Sequence, residues 1–284
     1  MSQAAKLRKA IQDGPMIVAP GAYDCITARL IEGGGFSCAY MTGGGTAGML
    51  GFPDYGLTTM TEMVDNAGRI ANAVDIPLIA DADTGFGNEL NVTRTIREYE
   101  MRGVAAIQLE DQGFPKRCGH LEGKTIIPLN EFIRKISAAV AARRNPDTII
   151  VARTDARGGG GFEDAIERMN AALDVGADVA FLEAHHSDKE MEQIPKLIHG
   201  PCLLNVGRFG KSPAPPLRTV ADMGYRIAIL PGMLLTHVIG SCEHILKELR
   251  ETQCHPVPFR DLNIHELWQA CGSASWDAVQ EKFK

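Results

Sequence analysis

Short apolar runs recur along the 284-residue chain, and their recurrence constrains the fold more than any other feature. The runs are MIVAP (16–20), CAYMT (38–42), PLIAD (77–81), AAIQLED (105–111), TIIVART (148–154), VAFLEA (179–184), CLLNV (202–206) and IAILP (227–231). Each is of strand length and rich in Val, Ile, Leu and Ala. Near-continuous apolarity, in place of alternation, marks a strand covered on both faces. Between the runs lie segments with helical patterning, at 26–35, 61–74, 91–104, 130–144 and 163–179. Some close on glycine, a helix stop. Strand and helix in steady alternation predict a (β/α)₈ TIM-type barrel. A doubly wound open sheet is the competing arrangement, but no G-x-G-x-x-G follows the first run. The length suits one such barrel domain over residues 1–284. From about 250 the periodicity weakens, around Pro256, Pro258, Trp268 and Trp276. This reads as a helical extension, packed either on a neighbouring subunit or over its own barrel.

Charge and composition exclude several classes. The net charge is −6 and no Lys/Arg block stands out, so a nucleic-acid partner is not expected. No run approaches 18 apolar residues, so no membrane span is expected. The N-terminal MSQAAKLRKAIQDGP lacks the apolar core of a signal peptide. Seven cysteines, at 25, 38, 118, 202, 242, 254 and 271, form no C-x-x-C pair, which suits reduced thiols in a cytoplasm. Cys25, Cys38, Cys202 and Cys242 lie in apolar runs and read as packed core thiols.

In a barrel of this kind, chemistry gathers where strands end. The second run ends in Tyr40, Thr42 and Gly43-Gly44-Gly45, with Asp54 in the following loop. The third leads into Asp81 and Asp83, and the fourth into Glu110 and Asp111. Arg153 and Asp155 follow the fifth, Glu183 the sixth, and Asn205 and Arg208 the seventh. Asp54, Asp81, Asp83 and Glu110 together would repel one another unless a cation or raised pKa values intervene. Oxygen ligands without a Cys/His cluster point to Mg²⁺ or Mn²⁺, not zinc, with some acids acting through water. The bland alternative has these acids capping helices or pairing with Arg94 and Arg97. The triple glycine is either a plain turn or a place where backbone N–H groups approach a carboxylate. GGGG (158–161) reads as a flexible loop, and His185-His186 as surface residues.

The stretch LEDQGFPKRCGHLEG (109–123) crowds acid, base, thiol and imidazole into one glycine-punctuated loop. Lys116 and Arg117 precede Cys118, and His120 follows. Positive neighbours favour the thiolate and so ease proton exchange. Gly113, Gly119 and Gly123 give the loop the character of a lid. A solvated loop with an incidental thiol is the alternative.

Six motifs carry a resemblance over nearly the whole length: PGAYDCITARL (20–30), YMTGGGTAGMLGFPD (40–54), DADTGFGN (81–88), LEDQGFPKRCGH (109–120), ARTDA (152–156) and LLN (203–205). The chain resembles the isocitrate lyase/phosphoenolpyruvate mutase superfamily. KRCGH is similar to the signature of its carbon–carbon lyases, and PGAYD to the branch of 2,3-dimethylmalate lyase, oxaloacetate hydrolase and petal death protein. The 2-methylisocitrate lyases are close relatives. The resemblance implies a homotetramer, a dimer of dimers that exchange their eighth helices. It implies Mg²⁺ near Asp83, with Asp54, Asp81 and Glu110 helping. Tyr40, Thr42, Gly43 and Gly44 would hold a substrate carboxylate. Arg153 would contact substrate oxygens, Glu183 and Asn205 would line the pocket, and Cys118 would be the general acid. Lys116, Arg117, Gly119 and His120 would close over the substrate and offset its charge.

The reaction implied is cleavage of a 2-hydroxy di- or tricarboxylate to a 2-keto acid plus a second carboxylate. Oxaloacetate decarboxylation or hydrolysis, or phosphonopyruvate-type chemistry, is the alternative on this scaffold. Two positions depart from the relatives. The 2-methylisocitrate lyases align an acid where this chain has Arg208, so the distal end of the substrate would be read differently. The oxaloacetate hydrolases carry a serine near the end of the eighth strand, where this chain has Pro231, which favours a lyase.

Overall fold

The computed structural model describes residues 1–119, 121, 123–159, 161–208 and 214–284. Its strands are β1 (Ile17–Ala22), β2 (Ala39–Met41), β3 (Leu78–Asp81), β4 (Ala106–Glu110), β5 (Ile149–Thr154), β6 (Val179–Leu182), β7 (Cys202–Asn205) and β8 (Ile227–Leu230). All are parallel, and they close into a barrel in chain order, with β8 returning to β1 through the pairs Ile17–Ile227 to Pro20–Leu230. The (β/α)₈ reading stands, and the open sheet does not.

The helices are α1 (Gln3–Asp13), α2 (Cys25–Gly33), α3 (Gly43–Met49), α4 (Met60–Ala73), α5 (Glu89–Met101), α6 (Leu129–Ala142), α7 (Phe162–Asp174), α8 (Asp188–Leu197), α9 (Leu217–Asp222), α10 (Met233–Thr252), α11 (Ile264–Ala270) and α12 (Ser273–Glu281). Strand apolarity is continuous because each strand serves two cores. Ile149 and Val151 face the barrel interior with Ile79, Val179, Phe181 and Leu203. Their neighbours Ile150 and Ala152 face outward, packed with Phe132, Ile136 and Met169 of the helical layer. Helix α1 belongs to the interior cluster through Ala4, Leu7 and Ile11 and plugs the N-terminal end of the barrel. Arg226, one residue before β8, fixes the plug by donating to the carbonyl oxygens of Ile11 and Gly14. With one end plugged, only the mouth at the C-terminal strand ends is open to chemistry.

The eighth helix behaves differently from the others. No residue of α10 is buried, although Val238, Ile239, Ile245, Leu246 and Leu249 lie along it. The tail beyond it leaves Val257, Phe259, Trp268 and Trp276 exposed, and α11 returns to touch α2. Cys242 rides on α10 and is exposed, which corrects its reading as a core thiol; Cys38 and Cys202 are buried, and Cys25 is half-buried. Among the described residues no helix is long and apolar enough to cross a membrane.

Candidate active site

A cavity of about 260 Å³ opens at the barrel mouth. Of the residues singled out from sequence, Tyr40, Thr42, Gly44, Asp54, Asp81, Lys116, Cys118, Gly119, Arg153, Glu183, Asn205 and Arg208 line it. They arrive from six strand ends, those of β2 to β7, so the closed sheet gathers residues up to 168 positions apart in sequence, from Tyr40 to Arg208. Arg208 lines this cavity at its solvent-exposed rim.

Asp54, Asp81, Asp83 and Glu110 lie around Lys116. Asp81 ends β3 and is organised by backbone donors: Asp83 N–H at 3.0 Å to Oδ1 and Gly43 N–H at 3.3 Å to Oδ2. Here the triple glycine does bring an N–H to a carboxylate, that of Asp81. Gly43 must be glycine, because a Cβ there would lie 2.6 Å from Asp81 Oδ2 and 3.2 Å from Asp83 Oδ1. Asp83 itself takes a left-handed backbone, φ 47°, a conformation that aspartate tolerates better than most residues. Its carboxyl group is pushed up to about 6, first by burial and then by Asp81 and Asp54, with Lys116 pulling the other way. Burial also drives Glu110 well above the usual carboxylate range, against the pull of Arg153. Arg94 pairs with Glu98 on the surface, not with these acids.

Lys116 enters from the loop after β4. Its Nζ lies 2.6 Å from Asp54 Oδ1 and 2.7 Å from Asp83 Oδ1, with the side chain 5% exposed. Burial alone would neutralise this amine, but Asp83, Glu110, Asp81 and Asp54 outweigh it and raise its pKa. Lys116 and, at Glu110, Arg153 face four acids, so the cations fall short of the acids' full charge. Among the described residues no three carboxylate, imidazole or thiol groups form a ready-made metal cage. Neither Glu110 oxygen has a hydrogen-bond partner among the described residues, and Oε2 has only an ion pair to Arg153 Nη1 at 3.3 Å. Surplus buried charge and underused carboxylate oxygens fit a hydrated divalent cation held partly through water.

Arg153 ends β5 and reaches across the cavity floor. Its Nε and Nη2 donate to Asp155 at 2.8 and 3.2 Å, and the guanidinium stacks on Phe181 at 5.3 Å. Burial opposes ionisation of Asp155, but Arg153 and Lys124 prevail and hold it at about 2. An acid depressed from about 3.9 to that value adds stability on the order of 2–3 kcal/mol above pH 4. That contribution is lost as pH falls through the folded value and is about half gone by pH 3. Urea unfolding should therefore show a gap between wild type and Asp155→Asn that narrows between pH 7 and pH 3.

The loop between β4 and α6 lies over the mouth as a flap. Its stem is a backbone pairing of Gln112 with Ile126, with Gly113 N–H donating to Thr125 O at 2.7 Å. Gln112 braces the tip by exchanging two hydrogen bonds with the Arg117 backbone, at 2.8 and 3.0 Å. Cys118 N–H donates to Asp54 O at 3.2 Å, which seats the thiol-bearing residue on the loop after β2. Gly119 approaches so closely that a Cβ would fall 2.5 Å from Arg153 Nη2 and 2.6 Å from Glu183 Cγ.

Three sequence readings need correction or qualification. Arg117 does not enter the cavity; it is exposed, with its guanidinium 5.8 Å from the Tyr55 ring. Adjacent side chains in an extended loop diverge, and Lys116 takes the inward direction. His185 is 1% exposed, not a surface residue, because the left-handed turn at Ala184 (φ 59°) tucks it inward; His186 is exposed. His120 lies outside the described residues, as do Gly160 and the first half of the Pro-rich loop after β7.

The structure adds residues that sequence reasoning passed over. Tyr40 OH donates to Gln108 Oε1 at 3.0 Å, and Gln108 Nε2 donates to Asp81 Oδ1 at 3.2 Å, a buried chain beneath the acids. A lone amide in the apolar AIQLE run was the signal for it. Leu235 of α10 closes the apolar side of the cavity with Phe181, Ile229 and Pro231.

A plugged barrel whose mouth gathers acids, an arginine and a thiol-bearing flap defines a class of enzyme-like sites, and the comparisons agree. Residues 7–250 match the phosphoenolpyruvate phosphomutase family. The 2,3-dimethylmalate lyase of Eubacterium barkeri is 49% identical over 81% of this chain and 80% of its own. The 2-methylisocitrate lyase of Aeropyrum pernix is 43% identical over 86% of this chain and 79% of its own. Oxaloacetate acetylhydrolase, solved with the inhibitor 3,3-difluorooxalacetate, superposes with TM-score 0.95 at 38% identity, covering 99% of this chain and 97% of that one. This chain belongs to the isocitrate lyase/phosphoenolpyruvate mutase superfamily.

Proposed function

We propose that the protein is a divalent-metal-dependent carbon–carbon lyase. It cleaves a 2-hydroxy di- or tricarboxylate of the 2,3-dimethylmalate or 2-methylisocitrate type to a 2-keto acid such as pyruvate plus a second carboxylate. The observation that carries this reading is the placement of Cys118 and Arg153 on one cavity above the buried acids. The two relatives named as lyases support the reaction class.

Asp83, with Asp81, Asp54 and Glu110, would hold Mg²⁺ or Mn²⁺. When bound, the metal would polarise the substrate's carboxylate and hydroxyl oxygens. Thr42, Gly43 and Gly44 bind the keto-acid end, and Tyr40 supports it from below. Arg153 holds the hydroxyl oxygen and stabilises its anionic form as its proton passes to solvent, from which the thiolate of Cys118 is later reprotonated. The adjacent C–C bond then breaks, its electron pair passing to the second fragment. Cys118 delivers a proton to that carbon, and the thiolate is reprotonated afterwards. Lys116 and the flap exclude water and offset the added negative charge. Glu183 and Asn205 line the far wall. Arg208 reads an anionic group at the distal end, where Leu235 and Ile229 accept methyl groups.

The oxaloacetate acetylhydrolase likeness favours one second reading, hydrolysis of oxaloacetate on the same site. Pro231 at the cavity wall, in place of a serine, supports the lyase over it. Incubation with Mg²⁺ and a panel of malate, citramalate and isocitrate derivatives, with detection of keto acids, tests the assignment. Pyruvate or glyoxylate from a 2-hydroxy acid is expected. Activity confined to oxaloacetate would replace it with the second reading.

The assembly proposed is a homotetramer of helix-exchanged dimers, each chain forming one barrel with its extension. The unburied apolar side chains of α10 support exchange: an eighth helix that covers its own barrel would bury them. The scattered cysteines suit a reducing compartment such as the cytoplasm.

A further inference from the structure

On the same loop as Lys116, a second lysine, Lys124, is buried against a different acid, Asp155. Lys124 Nζ makes an ion pair with Asp155 Oδ1 at 2.7 Å, their side chains 6% and 0% exposed. The same ammonium donates to the carbonyl oxygen of Gly119, the residue after Cys118. Asp155 is itself fixed. It accepts two bonds from Arg153, and its own N–H donates to Asp111 Oδ1 at 2.9 Å.

A single cation thus bridges the flap tip, through a carbonyl, and the acid that orients the cavity's arginine. Nothing in the proposed proton transfer or substrate contacts uses Lys124, since it does not line the main cavity. Burying an ammonium at a loop end is costly unless it is paired and fully bonded. Leaving that carbonyl and carboxylate exposes water to both, so this arrangement has value only when the flap is down.

We propose that Lys124 is a positioning residue, a latch that holds the Cys118 flap closed and couples closure to the orientation of Arg153 through Asp155. Lys116 clasps the upstream arm to Asp54 and Asp83, and Lys124 clasps the downstream arm to Asp155. The upstream clasp shares its acids with the candidate metal, and the downstream clasp does not. Lys124 therefore keeps the thiol over the cavity whatever occupies the acid cluster.

The latch rests on the reading of the loop as the flap of this site, but its test does not need the substrate. The full chain would be alkylated with iodoacetamide without substrate, and Cys118 followed by peptide mass spectrometry, separately from Cys242, Cys254 and Cys271, which lie on α10 and the tail, outside the flap. In Lys124→Met, alkylation of Cys118 should be about tenfold faster than in wild type, with Cys242, Cys254 and Cys271 unchanged from wild type as internal controls. In any active assay kcat should fall more than KM rises, because a loosened flap delivers its proton less often. Gly119→Ala, whose Cβ cannot fit against Arg153 and Glu183, should reproduce the fast alkylation. Should Lys124→Met not fold, Lys124→Gln is judged by the same readout. Wild-type alkylation of Cys118 in a folded Lys124 variant would overturn the latch. Fast alkylation alongside a substrate panel that yields no keto acid would keep the latch and remove the lyase.

Discussion

Cys118→Ser should lower turnover by about 10²–10⁴-fold while leaving divalent-metal affinity near wild type. The serine keeps size and hydrogen bonding but not acidity, for a hydroxyl gives up its proton far less readily than a thiol. Substrate binding should survive because Thr42, Arg153 and Asn205 do not depend on the sulfur. The seat of the residue should survive too, since it rests on the Cys118 N–H to Asp54 carbonyl bond. The loss should therefore appear in kcat, with KM changing little. Steady-state kinetics and calorimetric Mg²⁺ titration on the same preparation check both halves. A serine variant with undiminished kcat would remove the thiol from the reaction and favour oxaloacetate chemistry.

Asp83→Ala should abolish measurable Mg²⁺ binding and lower turnover by roughly 10³-fold or more, as loss of several kcal/mol of charge stabilisation implies. Asp83 is the carboxylate that Lys116, Asp81 and Asp54 surround, and its backbone carbonyl accepts from Glu110 N–H at 2.9 Å, tying the ends of β3 and β4 together. Removing the side chain takes away both the central oxygen ligand and one of the two short contacts of Lys116. The ammonium would then turn fully to Asp54, so the flap should stay clasped upstream. Folding should be retained because Lys116 keeps Asp54 as its partner, although alanine fits the left-handed backbone at φ 47° less well than aspartate and some stability is lost. Mn²⁺ titration by electron paramagnetic resonance reads the affinity directly. Retained stoichiometric binding would move the metal away from Asp83.

Much of this architecture is legible in the residues themselves. Ile149 to Thr154 is apolar almost throughout because one set of side chains fills the barrel and the next meets the helices, and that double burial separates the run from an alternating strand. The acids were legible as a set because their positions, at the ends of consecutive strands, converge only in a closed sheet. Side-chain direction was less legible. Lys116 and Arg117 are chemically alike, and only the backbone decides that the first turns in and the second out. His185 depends on the backbone reversal at Ala184, a residue with no local preference for it. Lys124 follows Gly123 in a polar loop where nothing singles it out; its signal was Asp155, an acid at a strand end with no assigned partner. Cys242 misled because α10 has the apolar content of a core helix without being covered by its own barrel.

The most direct measurement is proton NMR of the Mg²⁺-loaded protein acting on 2,3-dimethylmalate and 2-methylisocitrate in D₂O. The account predicts pyruvate together with a second acid, propionate or succinate respectively, carrying a single deuteron at the carbon released by cleavage. Intact 2-hydroxy acids across the panel, with oxalate and acetate formed from oxaloacetate, would contradict it.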